Sequence, residues 1–209
     1  MTAEAEHTGR RAVRIGLTGP IGCGKSTVAR WLAERPGVII IDADRVARDV
    51  LDQGGSALDA VIERFGAERL RPDGELDRAA LGRIVFADPA ALRDLEAIVH
   101  PAVRMRILTA IDAAEKAGAA AVVIEAIKLV EGGLDALCDE AWLITCDPEV
   151  QRARLIGRGT SEEDATQRIA AQTGLAERVE PAATRIIDSS GDPAETRRLV
   201  LAALDAAER

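Results

Sequence analysis

Val13-Arg-Ile-Gly-Leu-Thr18, running directly into Gly19-Pro-Ile-Gly-Cys-Gly-Lys-Ser-Thr27, decides how this chain of 209 residues folds. An apolar, partly β-branched run (Val13, Ile15, Leu17) opens into a loop spaced G-x-x-x-x-G-K-S, and a helical pattern (Val28, Ala29, Trp31, Leu32) follows at once, so strand, glycine loop and helix come in the order a phosphate cradle needs. Gly19, Gly22 and Gly24, with Ile21 and Cys23 between them, let the backbone take conformations closed to other residues, and successive N–H groups turn inward on one anion. The helix that starts at the loop's end adds its partial positive charge. The spacing places Lys25 at the β- and γ-phosphates, the Ser26 hydroxyl on Mg²⁺ and Thr27 beside an outer phosphate. A nucleoside triphosphate and Mg²⁺ are the expected ligands.

Composition narrows the field. Aliphatic residues dominate the 47% apolar fraction, while aromatics make up 2% and Tyr is absent, which leaves no stacking platform for nucleic acid bases. A net charge of −8 argues against general affinity for nucleic acid or anionic membranes. No apolar run reaches the length of a membrane span, and residues 1–9 are polar, with Glu4 and Glu6, so a cytoplasmic protein is expected. Cys23, Cys138 and Cys146 are odd in number and lack metal-ligand spacing, which reads as reduced thiols, with Cys23 a small filler in the loop.

In chain order, residues 1–10 read as a disordered tail in which His7 is simply solvated. The apolar strand at 38–41 ends in Asp42-Ala-Asp44, on the rim where parallel α/β sheets bind ligands. Asp44 is placed both for that rim and to cap a helix over 45–51, and Asp42 reads as a capping or turn residue. A helix-rich stretch follows to about residue 118, with Asp88-Pro89 as a helix start and Pro101 as an interruption, beside which His100 reads first as a structural histidine. The strand at 119–124 closes with Glu125, a carboxylate suited to a Mg²⁺ shell through water. A short helix is expected over 131–137 and a strand over 141–146, and Asp147-Pro148 then begins a helix on which Arg154 and Arg158 stand one i,i+4 step apart. Thr160-Ser-Glu-Glu163 starts another helix. The pair of helices joined at Arg158-Gly159 reads as a mobile lid that carries arginines over a phosphate. A last strand around 185–187 precedes a terminal helix from Asp192-Pro193.

The alternation implies an α/β fold, a mostly parallel sheet with helices on both faces. The expected division is a nucleotide-binding core of residues 11–52, 119–147 and 183–209, a helical insert over 53–118 and a lid over 148–182.

Several motifs together carry a resemblance: the run from Ile15 through the loop to Ala29, then Ile41-Asp-Ala-Asp-Arg-Val-Ala-Arg48, Arg64-Phe-Gly66, Asp73-Gly-Glu-Leu-Asp-Arg78, Leu95-Glu-Ala-Ile-Val-His-Pro101, Gln151-Arg-Ala-Arg-Leu155 and Arg168-Ile-Ala-Ala-Gln172. In this order they resemble the dephospho-CoA kinase family. The resemblance implies transfer of the ATP γ-phosphoryl group to the ribose 3′-hydroxyl of dephospho-CoA. It implies Asp44 as the carboxylate that takes the hydroxyl proton, Arg154, with Arg158 as second candidate, as the lid arginine facing the transferring group, and His100 and Arg48 on the acceptor side. Two segments depart from the family pattern. Glu125-Ala-Ile-Lys-Leu-Val-Glu131 stands where the family has Asp-x-Pro-Leu-Leu-aromatic-Glu, and Ile187-Asp-Ser189 stands in place of Ile-x-Asn. The alternatives are another small-metabolite kinase of the same fold or a nucleotide-dependent binding protein; a GTPase is disfavoured because no Asn-Lys-x-Asp motif is present.

Overall fold

The computed structural model describes residues 11–209; the expected tail, with His7, lies outside the described residues. The chain enters at β1 (Val13–Thr18), crosses the glycine loop into α1 (Lys25–Ala33) and continues through β2 (Val38–Asp42), α2 (Ala43–Asp49), α3 (Leu58–Phe65), α4 (Arg78–Ala87) and α5 (Pro89–Lys116). It then passes through β3 (Ala121–Glu125), β4 (Glu140–Thr145), α6 (Pro148–Gly157), α7 (Glu162–Ala170), α8 (Leu175–Val179), β5 (Arg185–Asp188) and α9 (Pro193–Ala207).

The five strands lie in the order β2-β3-β1-β4-β5. β1 pairs in parallel with β3 on one side and β4 on the other, with Leu17 level with both Glu125 and Trp142. The chain therefore turns away from β1 in opposite directions, and the loop after β1 leaves from the switch point of the sheet, where open α/β folds bind ligands. This confirms the expected α/β parallel sheet.

Two compact units make up the chain: the described residues up to Ile41 together with Ile111–Arg209, and Asp42–Ala110. In the first, Ile15 and Leu17 of β1, Val123, Trp142 and Ile144 pack with Val28 and Leu32 of α1 and with Val200 and Leu204 of α9. A second cluster joins Leu143 of β4 to Leu175 and Val179 of α8. Helices thus cover both faces, as the unbroken burial of β1 from Ile15 to Thr18 requires. In the second unit, Leu58, Val61, Phe65, Leu81 and Val85 are buried along α3 and α4.

Three local expectations are corrected. The helix after β2 starts at Ala43, because the Asp42 carboxylate, 2.9 Å from the Arg45 N–H, is its N-cap; Asp44 lies in the first turn. Pro101 sits inside α5, which runs unbroken for 28 residues. The missing N–H and the ring cost about 3 kcal/mol, but Val99, Val103, Ile107 and Ile111 are buried at an unbroken four-residue spacing, and that stripe holds the helical geometry across the proline. The helix expected over 131–137 is confined to a single 3-10 turn at Asp135–Leu137, preceded by Gly133 at φ 67°.

Candidate active site

The glycines of the loop are there for steric reasons. Gly19 has φ 144°, and a Cβ on it would overlap the Ile144 carbonyl of β4. Gly24 has φ 94° and is the N-cap of α1, the turn that swings the backbone from loop to helix. The Thr27 and Val28 N–H groups close the first turn of α1 on the Gly24 carbonyl, at 3.0 and 2.9 Å. Lys25 is buried, with Nζ donating to the Gly19 carbonyl at 2.7 Å and the Pro20 carbonyl at 3.3 Å, so the ammonium lies across the mouth of the loop.

Ser26, next along α1, donates its hydroxyl hydrogen to Glu125 Oε1 at 2.7 Å. Parallel pairing delivers Glu125 there: it is the last residue of β3, level with Leu17, and the Ala126 N–H continues the ladder to the Leu17 carbonyl at 3.0 Å. A hydroxyl and a carboxylate, both hard oxygen donors, therefore share the edge of the phosphate loop, and this donor set suits Mg²⁺.

The two arginines of the helical hairpin reach the opposite side of the loop. Arg154 Nη1 donates to Ser189 Oγ at 3.0 Å and Nη2 to the Ser189 carbonyl at 2.6 Å, with Nη1 3.9 Å from the position of a Cβ on Gly24. Arg158, the C-cap of α6, is exposed. Both line a cavity of about 150 Å³ with Gly24, Thr27, Trp31 and Thr196. Nearby, the hydroxyl and then the N–H of Ser190 hold the Asp188 carboxyl below the usual range.

In the second unit, Asp44 and Arg48 stand together on α2, with Arg48 Nε donating to the Asp44 carbonyl at 3.1 Å. Arg78 donates to the Arg48 carbonyl at 2.8 Å and pairs with Asp52 at 2.6 Å. Asp44 and Arg48 are exposed, and His100 is half-buried near the middle of α5.

Four features of the loop's surroundings escape a reading of the sequence by local pattern. Ile21 is held from both sides: its N–H donates to Gln172 Oε1 and its carbonyl accepts from Gln151 Nε2, each at 2.7 Å. Ser189 is buried against the Cys23 carbonyl. The fourth is a correction. Cys23 is no reduced filler but is joined to Cys146 in a disulfide, with Cα atoms 5.2 Å apart. The two are separated by 123 residues, and only the β1-β4 pairing brings the loop beside the end of β4. Closing so long a loop stabilises a fold by about 3–5 kcal/mol in the chain-entropy account. Cys146→Ser is accordingly expected to lower the unfolding midpoint by roughly 10 °C. Cys138 is the remaining thiol, pushed up to about 12 chiefly by burial and next by Asp135. The native, unreduced protein should thus take up almost no iodoacetamide at pH 8, and all three cysteines should react once it is reduced and unfolded. Ready labelling of Cys23 in the native protein, or an unchanged midpoint in Cys146→Ser, would contradict the pairing.

A parallel sheet with its phosphate loop at the switch point, a loop lysine, and a serine-carboxylate pair at the loop's edge define a P-loop phosphotransferase. The profile of the dephospho-CoA kinase family matches residues 13–195, and the chain belongs to that family. A dephospho-CoA kinase of Symbiobacterium thermophilum is 48% identical over 194 residues, 92% of this chain and 80% of the relative. The dephospho-CoA kinase structure from Campylobacter jejuni superposes with a TM-score of 0.67 at 28% identity, covering 93% of this chain and 96% of that one. TT1252 from Thermus thermophilus superposes with a TM-score of 0.78 at 32% identity, over 94% and 98%. The enzyme is thus a kinase of the family that the sequence motifs resemble. No described helix is long and apolar enough to cross a membrane.

Proposed function

We propose that this enzyme binds ATP with Mg²⁺ at the phosphate loop and transfers the γ-phosphoryl group to the ribose 3′-hydroxyl of dephospho-CoA, in the cytoplasm, giving coenzyme A and ADP. The observation that carries the nucleotide half is the Ser26–Glu125 contact at the loop's edge; family membership carries the acceptor. The loop backbone from Gly19 to Thr27, including Ile21, Gly22, Cys23 and Gly24, receives the phosphates. Lys25 turns from the Gly19 carbonyl to the β- and γ-oxygens as they arrive. The cavity between Trp31, Arg154 and Arg158 takes the base side of the nucleotide.

Ser26 and Glu125 would hold Mg²⁺, which neutralises charge on the phosphate oxygens when bound. This chain's residues do the rest. The acceptor oxygen bonds to the γ-phosphorus as the bond to the β–γ bridging oxygen breaks, ADP leaves with that electron pair, and the hydroxyl proton passes to the Asp44 carboxylate. Arg154, with Arg158 behind it, meets the charge on the equatorial oxygens, while Arg48 and His100 serve the acceptor. Closure of α6 and α7 over the site keeps water from the γ-phosphate.

Glu125→Gln tests the metal shell. Removing one charged oxygen from the donor set should raise the Mg²⁺ concentration for half-maximal rate about tenfold or more, and EDTA should stop turnover in both proteins. An unchanged Mg²⁺ requirement in Glu125→Gln would take that residue out of the shell. ADP release that depends on added dephospho-CoA tests the acceptor; release indifferent to it would point to a nucleotide-hydrolysing binding protein.

A further inference from the structure

We propose that Ser189 is a positioning residue for phosphoryl transfer, aiming the Arg154 guanidinium at the phosphate loop while pinning the middle of that loop with the same hydroxyl. The inference deepens the reading of Arg154 given above and rests on it.

Ser189 follows the last residue of β5 and is only 5% exposed. Its N–H donates to the Thr145 carbonyl at 2.9 Å, which fixes its backbone to the end of β4. Two nitrogens of the Arg154 fork bond to this one residue, Nη1 to the hydroxyl and Nη2 to the carbonyl. A planar guanidinium held at two points on one residue has its plane and direction set, and its Nη1 lies 3.9 Å from where a Cβ on Gly24 would stand, at the point where the loop becomes α1. The hydroxyl hydrogen has two carbonyls within reach, Cys23 at 2.7 Å and Thr145 at 3.0 Å. One hydrogen serves one acceptor at a time, and the shorter contact is to the loop.

Oγ is therefore acceptor from the arginine and donor to the loop at once. A hydroxyl in that position is polarised by the guanidinium and strengthens its own bond to the Cys23 carbonyl. Loop and arginine approach the phosphates from different parts of the chain, 131 residues apart by position, yet the Ser189 hydroxyl bonds to both. Donors fixed in advance at the place where charge develops need no reorganisation during the reaction.

The test is a double-mutant cycle on the full-length enzyme with Mg-ATP and dephospho-CoA, with unfolding midpoints measured alongside. Ser189→Ala keeps the main-chain anchor for Nη2, so the expected effect is a roughly tenfold fall in kcat with the KM for ATP within about threefold. In an Arg154→Ala background the same substitution should change kcat by no more than about threefold, because the arginine it positions is gone and only its bond to the Cys23 carbonyl remains to be lost. Ser189→Thr, which keeps the hydroxyl, should recover most of the rate. A Ser189→Ala loss that multiplies in full with the Arg154→Ala loss assigns Ser189 to general support of the fold and overturns the proposal, as does unchanged turnover in Ser189→Ala. Arg154→Ala at the wild-type rate overturns the role of Arg154 first, and the proposal with it.

Discussion

Asp44→Asn is expected to lower phosphoryl transfer to dephospho-CoA by about a hundredfold to ten-thousandfold and to leave ATP affinity within about twofold. The substitution removes the charge proposed to accept the hydroxyl proton while keeping the side chain's size. The N-cap of α2 is Asp42, whose bond to the Arg45 N–H is untouched, and Arg48 contacts the main-chain carbonyl of residue 44. Asp42→Asn is the matched control: it keeps a capping oxygen and removes the negative charge at the helix N-terminus, which should cost about 0.3–1 kcal/mol of stability with little effect on rate. ATP affinity can be followed by the fluorescence of Trp31, which lines the cavity beside Gly24 and Arg154, since Trp142 is buried in the core. Near-normal turnover in Asp44→Asn would remove the assignment of the base.

Arg154→Ala should cost about a thousandfold in kcat, by analogy with arginines that meet the charge of a transferring phosphoryl group. The size of the effect follows from how the side chain is held. Arg154 is half-buried, anchored at two nitrogens and set against Gly24, whereas Arg158 caps the end of α6 and is exposed. Arg158→Ala is therefore expected to lose ten to a hundred times less than Arg154→Ala. Because a loose transition state leaves the protein mostly positioning and electrostatics, the Arg154→Ala loss should fall on kcat more than on the KM for ATP. The reverse ranking of the two arginines would mean that the anchoring seen at Ser189 holds Arg154 away from the chemistry.

What the sequence made legible, and what it hid, divides along the distance between interacting residues. The phosphate loop is a local pattern, and its conformation follows from three glycines and a helix start. Glu125 was legible because a strand that ends in an acid points that acid at the sheet's rim, although its direct contact with Ser26 needed the β1-β3 register. By contrast the contacts of Ile21 with Gln151 and Gln172, of Cys23 with Ser189, and the Cys23–Cys146 bond span 130, 151, 166 and 123 residues respectively. No spacing rule announces them; they exist because β4 lies beside β1 and β5 beside β4. The counting of cysteines failed for the same reason. Local rules also misjudged Pro101, where a buried stripe of Val99, Val103, Ile107 and Ile111 outweighs the missing hydrogen bond. They also left Asp42 and Asp44 interchangeable until the cap was seen to belong to Asp42.

The departure from the family pattern at residues 125–131 makes the acceptor the point on which the whole account turns. The measurement that tests it most directly is turnover of purified enzyme with Mg-ATP on dephospho-CoA, shikimate, gluconate and a nucleoside in parallel, with the product identified by mass and by ³¹P resonance. The account predicts by far the fastest turnover on dephospho-CoA, with the new phosphate on the ribose 3′-oxygen, yielding coenzyme A. Equal or absent turnover on dephospho-CoA, or phosphate on any other oxygen, would contradict it.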